Sequence, residues 1–199
     1  MKKQIAIIGL GLIGGSMAMA LRGFEDFEIV GVDNSHATLE FAAAHGVADR
    51  LTDDAGAAIA AADLVYLCLH PGAIVDFLKA HRLDFKPGSL VTDVCGIKTA
   101  VVDAAAVLPD EVDFIGGHPM AGKETSGIFH ADGKLFRGAH YILTPRPGHR
   151  PEHLDLLRRI AAYIGCRDVV DTTTQKHDAI IAYTSQVMHI MAVAVCDDP

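Results

Sequence analysis

Paired cysteines are missing from this chain. Cys68, Cys95, Cys166 and Cys196 stand far apart in the sequence, without C-x-x-C spacing. That excludes a disulfide framework and a zinc knuckle. Basic clusters are missing as well. Lys and Arg number 17 against 25 Asp and Glu, for a formal net charge of −8, so no patch exists to track a nucleic-acid backbone. No apolar run reaches the ~20 residues of a membrane span. Repeats and low-complexity tracts are absent, and a charged fraction of 21% is ordinary for a folded domain. His149 and His153 have i, i+4 spacing, but no third ligand stands near them, so they read as surface histidines and no metal is expected.

What is present is apolar. Half of the 199 residues are hydrophobic, enough for one large domain, or one domain and the start of a second. Lys2 and Lys3 precede an uncharged run from Gln4 to Leu21, and "AMA" at 18–20 resembles a cleavage site. A signal peptide is therefore a rival reading of the N-terminus. The run carries Gly9, Gly11, Gly14 and Gly15 and ends at Arg22, which favours a structural start and a soluble, cytoplasmic protein.

Strand and helix signals alternate. "KQIAIIG", "FEIVGVD", "DLVYLCL", "GSLVTDV" and "VDFIGG" are short apolar runs of buried-strand type, and "VADRLTD" adds a weaker one. "LIGGSMAMALRG", "HATLEFAAAHG" and "IKTAVVDAAAVLP" are helical, with Gly46 and Pro109 as stops. The pattern predicts an α/β, Rossmann-type, doubly wound and mostly parallel sheet. Past Gly127 the rhythm changes. "AHYILTP" and "CRDVVD" read as strands flanking a helix from about Glu152 to Ile164, with "TPRPGHR" a turn-rich loop. "TTTQKHDAIIAYTSQVMHIMAVAV" then opens on helix-capping threonines and is apolar on several faces. The expected division is a dinucleotide-binding domain over 1–171 and the start of a helical substrate and dimerisation domain over 172–199.

Gly9-Leu10-Gly11-Leu12-Ile13-Gly14 is G-x-G-x-x-G, set between a strand and a helix as the dinucleotide fingerprint requires. Gly9 allows the tight turn, Gly11 the approach of a pyrophosphate, and Gly14 close packing of helix on strand. The helix N-terminus favours an anion. Asp33 closes the second strand, where a carboxylate accepts ribose hydroxyls and repels a 2′-phosphate; Asn34 and Ser35 supply no arginine to hold one. NAD is expected over NADP.

Ligands of such sheets lie beyond the C-terminal strand ends. Three ends carry chemistry: "LHPG" with His70 and Pro71, "TDVCGIK" from Asp93 to Lys98, and "GGHPMAG" with His118. The candidate cofactor set is Gly9, Gly11, Leu12, Ile13, Gly14, Asp33, His70, Pro71, Asp93 and Cys95. His118 lies between Gly117 and Pro119, placed to take a proton from an alcohol losing hydride. A turn histidine satisfied by backbone fits those residues equally, and the residues alone do not choose.

The combination of "IIGLGLIGGS", "VGVD", "TDVCGIK", "GGHPMAGKETSG" and "KHDAIIAYTSQVMH" resembles the prephenate dehydrogenase family of tyrosine biosynthesis. The resemblance implies oxidative decarboxylation of prephenate by NAD, giving 4-hydroxyphenylpyruvate, carbon dioxide and NADH. It implies that His118 accepts the proton of the ring hydroxyl. It implies that His189 binds substrate with Ser185 on the same helix face, that Glu124 gates the pocket, and that His177 and Asp178 organise the last helix. Lys123 joins the substrate candidates as a cation for an anionic substrate.

Two departures stand out. Gly96 occupies a position where many members carry serine, so His118 must be oriented otherwise, by water, cofactor or Cys95. The family's helical domain, which dimerises and supplies a carboxylate-binding arginine, is represented only by its first helix, and no arginine follows Arg167. A homodimer through the C-terminal helical region, with an apolar face around Ile181, Met188, Ile190 and Met191, is expected. So is NAD binding with little prephenate turnover by these residues alone. The alternatives are an arogenate dehydrogenase and a non-catalytic NAD-binding sensor; retention of His118 and His189 speaks against the sensor.

Overall fold

The protein is described by a computed structural model, which covers residues 2–186, with side chains to residue 184. Eight strands form one sheet: β1 (Lys3–Ile8), β2 (Phe27–Val32), β3 (Arg50–Thr52), β4 (Leu64–Leu67), β5 (Leu90–Asp93), β6 (Asp113–Pro119), β7 (His140–Thr144) and β8 (Asp168–Asp171). Their spatial order is β3-β2-β1-β4-β5-β6-β7-β8. Every pairing is parallel except β6 with β7. Among the described residues seven α-helices accompany them: α1 (Leu12–Leu21), α2 (His36–Ala44), α3 (Ala55–Ala61), α4 (Pro71–Ala80), α5 (Thr99–Ala104), α6 (Pro151–Tyr163) and α7 (Thr174–Ile181).

The two-residue alternation of a strand divides the core into two layers. In β1, Ile5 and Ile7 pack with Met17 and Leu21 of α1 and with Leu157 and Ile160 of α6. Ala6 and Ile8 face the other way, against Ile59 of α3, Ile74 and Leu78 of α4, and Val101 and Val102 of α5. Ile5, Ala6 and Ile7 have no exposed surface, and each buried isoleucine contributes about 1.5–3 kcal/mol. That is why the central strands read as continuous apolar runs.

Three features differ from the sequence expectation. Helices α3 and α4 lie where no helix was expected. Strand β6 continues past Gly117 through His118 to Pro119, because its last residues pair antiparallel with β7, His118 opposite Ile142. Ile181 is buried, at 7% exposure, and does not belong to an exposed apolar face; Ile180 and Tyr183 are exposed instead, at 54% and 79%. Ile181 turns inward because α7 lies against α5. Met188, Ile190 and Met191 lie outside the described residues. Helix α7 is capped by Thr173, whose side chain accepts from the Lys176 amide, and passes into a wider π-turn over Ala182–Gln186. Among the described residues, no helix is long and apolar enough to cross a membrane, and no three His, Cys, Asp or Glu side chains are grouped to hold a metal.

Candidate active site

Strand order reverses between β1 and β4, where the connections leave toward opposite sides of the sheet, and a crevice opens beyond such a switch point. A cleft of about 570 Å³ lies there, lined by Gly9, Gly11, Asp33, His70, Cys95 and Ser126, among others. Its floor is the glycine turn. Gly9 has φ +91°, and a β-carbon on it would meet the Cys68 carbonyl oxygen at 2.8 Å. A β-carbon on Gly14 would lie 1.8 Å from the Gly9 carbonyl oxygen, whereas one on Gly11 would touch nothing within 4 Å. Gly14 is therefore needed by the fold, and Gly11 faces open space. No side chain caps α1, so its first amides remain free for an anion.

Asp33 stands at the rim. Its carboxylate accepts from the Leu10 amide at 2.8 Å and the Ser35 amide at 2.9 Å, which fixes its rotamer while leaving lone pairs for further donors. Leu12, Ile13, His70 and Pro71 also line the cleft; His70 precedes the first turn of α4, with Pro71 at its start. Lys123 lines this same cleft with Thr125 and Ser126, on the side of the glycine turn, with its ammonium 3.9 Å from Asp132. Glu124 is exposed and is not among the lining residues.

Asp93 does not reach the cleft. It and Lys98 have no exposed surface and form a direct ion pair. The other bonds of Asp93 go to the amides of Cys95 at 3.0 Å and Gly117 at 3.2 Å, and Lys98 donates to the Gly117 carbonyl at 2.7 Å. A buried pair survives only when its remaining valences are satisfied. Here the bonds tie the end of β5 to β6, one residue before His118. Cys95 does line the cleft, but its thiol donates to the Leu69 carbonyl at 3.4 Å. Burial, with Asp93 adding repulsion against the opposing Lys98, pushes that thiol up to about 12, so it is a packed thiol and no nucleophile.

His118 is oriented by His177. The two rings meet edge to face, His118 Nδ1 lying 2.9 Å from His177 Nε2. Cys95 does not take this role, since its thiol is bonded to the Leu69 carbonyl. Asp178 lies 2.9 Å from His177 Nδ1 and accepts from the amides of Lys98 at 2.7 Å and Thr99 at 2.8 Å. His177 and Asp178 thus hold His118 and the start of α5, whereas their own helix is begun by Thr173. Burial, then the Lys98 charge and His177, lowers the His118 pKa to about 4 against a weaker pull from Asp178. The imidazole is neutral at pH 7. Its Nε2 faces Gly96, 3.8 Å from where a β-carbon there would lie. His189 lies outside the described residues. Ser185 belongs to the π-turn, and its side chain is likewise outside them.

Lys98, which closes the block "TDVCGIK", has no role assigned by the sequence, nor have Thr125 and Ser126, and His177 has a different task there. A lysine five positions after an acidic strand end was a usable signal, since a charge amid apolar neighbours must find a partner.

A glycine turn at a switch point, an acidic residue closing the next strand and a neutral histidine near the same opening define a dinucleotide-binding domain of dehydrogenase type. The chain belongs to the prephenate dehydrogenase family: residues 17–170 match the family model described as "Prephenate dehydrogenase, nucleotide-binding domain". It is 34% identical over 194 residues to prephenate dehydrogenase of Lactococcus lactis subsp. cremoris, covering 96% of this chain and 52% of the relative. It spans about half the length of that curated relative. The structure of Aquifex aeolicus prephenate dehydrogenase with hydroxyphenyl propionate and NAD⁺ superposes with a TM-score of 0.88 at 28% identity, over 99% of this chain and 69% of that one. Synechocystis arogenate dehydrogenase gives 0.87 at 32% identity, over 98% and 70%.

Proposed function

We propose that the chain is the cofactor-binding part of a cytoplasmic, homodimeric NAD-dependent dehydrogenase that converts prephenate to 4-hydroxyphenylpyruvate. The observation that carries this reading is the neutral His118, fixed at one ring nitrogen and with the other facing Gly96 beside the cleft. The cradle fits the cofactor: Gly11 leaves room for the pyrophosphate, the free amides of α1 favour its charge, and Asp33 suits the adenosine ribose. Leu12, Ile13, His70, Pro71 and Cys95 complete the walls. NAD⁺, when bound, supplies a hydride acceptor.

The protein's part in the chemistry is proton transfer. His118 Nε2 takes the proton of the substrate's ring hydroxyl as the carbon bearing it gives up hydride, and the C–O bond becomes a carbonyl. The ring carboxylate then leaves as carbon dioxide, its bonding pair enters the ring, and the carbonyl oxygen becomes a phenolate that takes back the proton held on His118 Nε2. A base with a depressed pKa holds a proton weakly, so His118 passes it on and is ready again. Lys123 supplies positive charge at the cleft, and Glu124 closes over it. Ser185 and His189 serve the substrate from the helical region that begins at residue 172, and exposed Ile180 and Tyr183 suit contact with a second copy. The relative from Lactococcus lactis favours prephenate; arogenate remains the second reading, on the Synechocystis structure.

The test follows absorbance of NADH after prephenate is added to the NAD⁺-loaded protein, with arogenate in parallel. Prephenate should be the faster substrate, and His118→Asn should lower kcat by about 10²–10⁴-fold with NAD⁺ affinity unchanged. Equal rates before and after that substitution would remove His118 from the chemistry.

A further inference from the structure

The bond between His118 and His177 joins a residue near the end of β6, beside Gly96 of the cleft wall, to a helix 59 positions later. His177 is almost wholly buried, at 1% exposure, and its other nitrogen meets Asp178. Burial pushes Asp178 up, but donors from Thr99, His177 and Lys98 outweigh it and hold the carboxyl at about 2. Asp178 is thus ionised and can only accept. The hydrogen between Asp178 and His177 therefore sits on His177 Nδ1. With a single ring proton, on Nδ1, His177 presents a bare Nε2, which can only accept from His118. The hydrogen of His118 is consequently on Nδ1, and its Nε2 carries the free lone pair.

We infer that His177 and Asp178 are positioning residues, which fix His118 in the Nδ1–H tautomer so that Nε2 faces the cleft as a base. The inference rests on the dehydrogenase reading for its use, though not for its geometry. It supplies what the glycine at position 96 cannot. Gly96 has no side chain to bond His118, so among the described residues no side-chain bond on that side of the ring selects the tautomer. The choice is made from the opposite side, by a helix that ties itself to the sheet through the amides of Lys98 and Thr99. When His118 Nε2 takes a proton, the positive ring still donates Nδ1–H to His177, whose own Nδ1–H points to the Asp178 carboxylate. The developing charge is met by a chain of oriented dipoles ending on an anion, which stabilises it without moving the ring. The charged groups that act on His118 are Lys98, from the segment after β5, and Asp178. Lys98 opposes the positive charge and Asp178 favours it.

The tautomer is read directly by ¹⁵N–¹H correlation of the histidine rings in the NAD⁺-loaded chain at pH 7. His118 should show Nδ1–H and a bare Nε2. His177→Leu should release that preference, and His177→Gln, whose side-chain oxygen can accept in place of Nε2, should retain it. In turnover, His177→Leu should lower kcat by about 10²-fold or more, as expected when a base is left in the wrong tautomer, with KM changed less than about twofold and most of the rate restored by glutamine. Nε2–H on His118 in the unmodified protein would overturn the inference, since His177 would then be the donor. An unchanged tautomer in His177→Leu would overturn it equally. If His177→Leu does not fold, the spectrum of the unmodified protein decides alone. Absence of turnover with prephenate in a form that also carries the family's helical domain would count against the dehydrogenase reading and leave the tautomer result standing.

Discussion

His118 and Asp178 make the stability of this protein depend on pH in two successive windows. The folded protein holds His118 at about 4, against an ordinary 6.5. Between those values the unfolded chain binds a proton that the folded one refuses, so stability rises with pH across that range and falls on acidification. Asp178 is held at about 2, against 3.8. Its contribution is present above 3.8 and is lost as pH falls through 2. Urea unfolding between pH 7 and 4 should show a falling midpoint, and His118→Asn should flatten that slope. A midpoint equally steep in both proteins would mean that His118 is not held neutral. At this scale the sequence was partly legible. Strand-end position and spacing point to Asp33, whereas they leave His118 a candidate that only the family resemblance singles out. The partner of His118 could not, because only the completed fold brings together residues 59 positions apart.

At the scale of elements, the glycine turn joins two separate demands. Gly14 lets α1 lie against β1, and a β-carbon there would enter the Gly9 carbonyl oxygen at 1.8 Å. Gly14→Ala should destabilise the fold by roughly 1–3 kcal/mol or more, as overpacking does. Gly11 has an ordinary φ of −69° and open space where a side chain would go. Gly11→Ala should unfold within about 0.5 kcal/mol of the unmodified protein yet lose most of its NAD⁺ affinity, because the methyl group occupies the approach of the pyrophosphate. Thermal unfolding and calorimetry on both variants separate the effects, and equal losses of stability would contradict the division. The strands were legible because burial on both faces removes polar residues from them. Helices α3 and α4 were not. The first is seven residues of small side chains, AGAAIAA, and carries little periodic signal. The second opens Pro-Gly, a pair that more often marks a turn. Tertiary burial of Ile59, Ile74 and Leu78 decides both.

For the whole molecule, the order of the strands does what no single motif can. It puts the glycine turn, Asp33 and the segment after β6 around one cleft, and it brings His118 to the end of the neighbouring strand. The buried Lys98–Asp93 pair locks β5 to β6 beside that histidine, and α7 reaches back to orient it. Alternating strands and helices made this architecture readable. The ion pair was only hinted at, by a lysine amid apolar neighbours five positions after an acidic strand end. The central claim is that the cleft is built for NAD, with Asp33 reading the adenosine ribose. Calorimetric titration of the protein with NAD⁺ and with NADP⁺, before and after Asp33→Ala, tests it most directly. The account predicts that NAD⁺ binds roughly tenfold tighter or more, and that Asp33→Ala weakens NAD⁺ and narrows the gap, since a carboxylate–ribose bond is lost and a repulsion of the 2′-phosphate is relieved. Equal affinity for the two cofactors in the unmodified protein, or a gap untouched by Asp33→Ala, would contradict it.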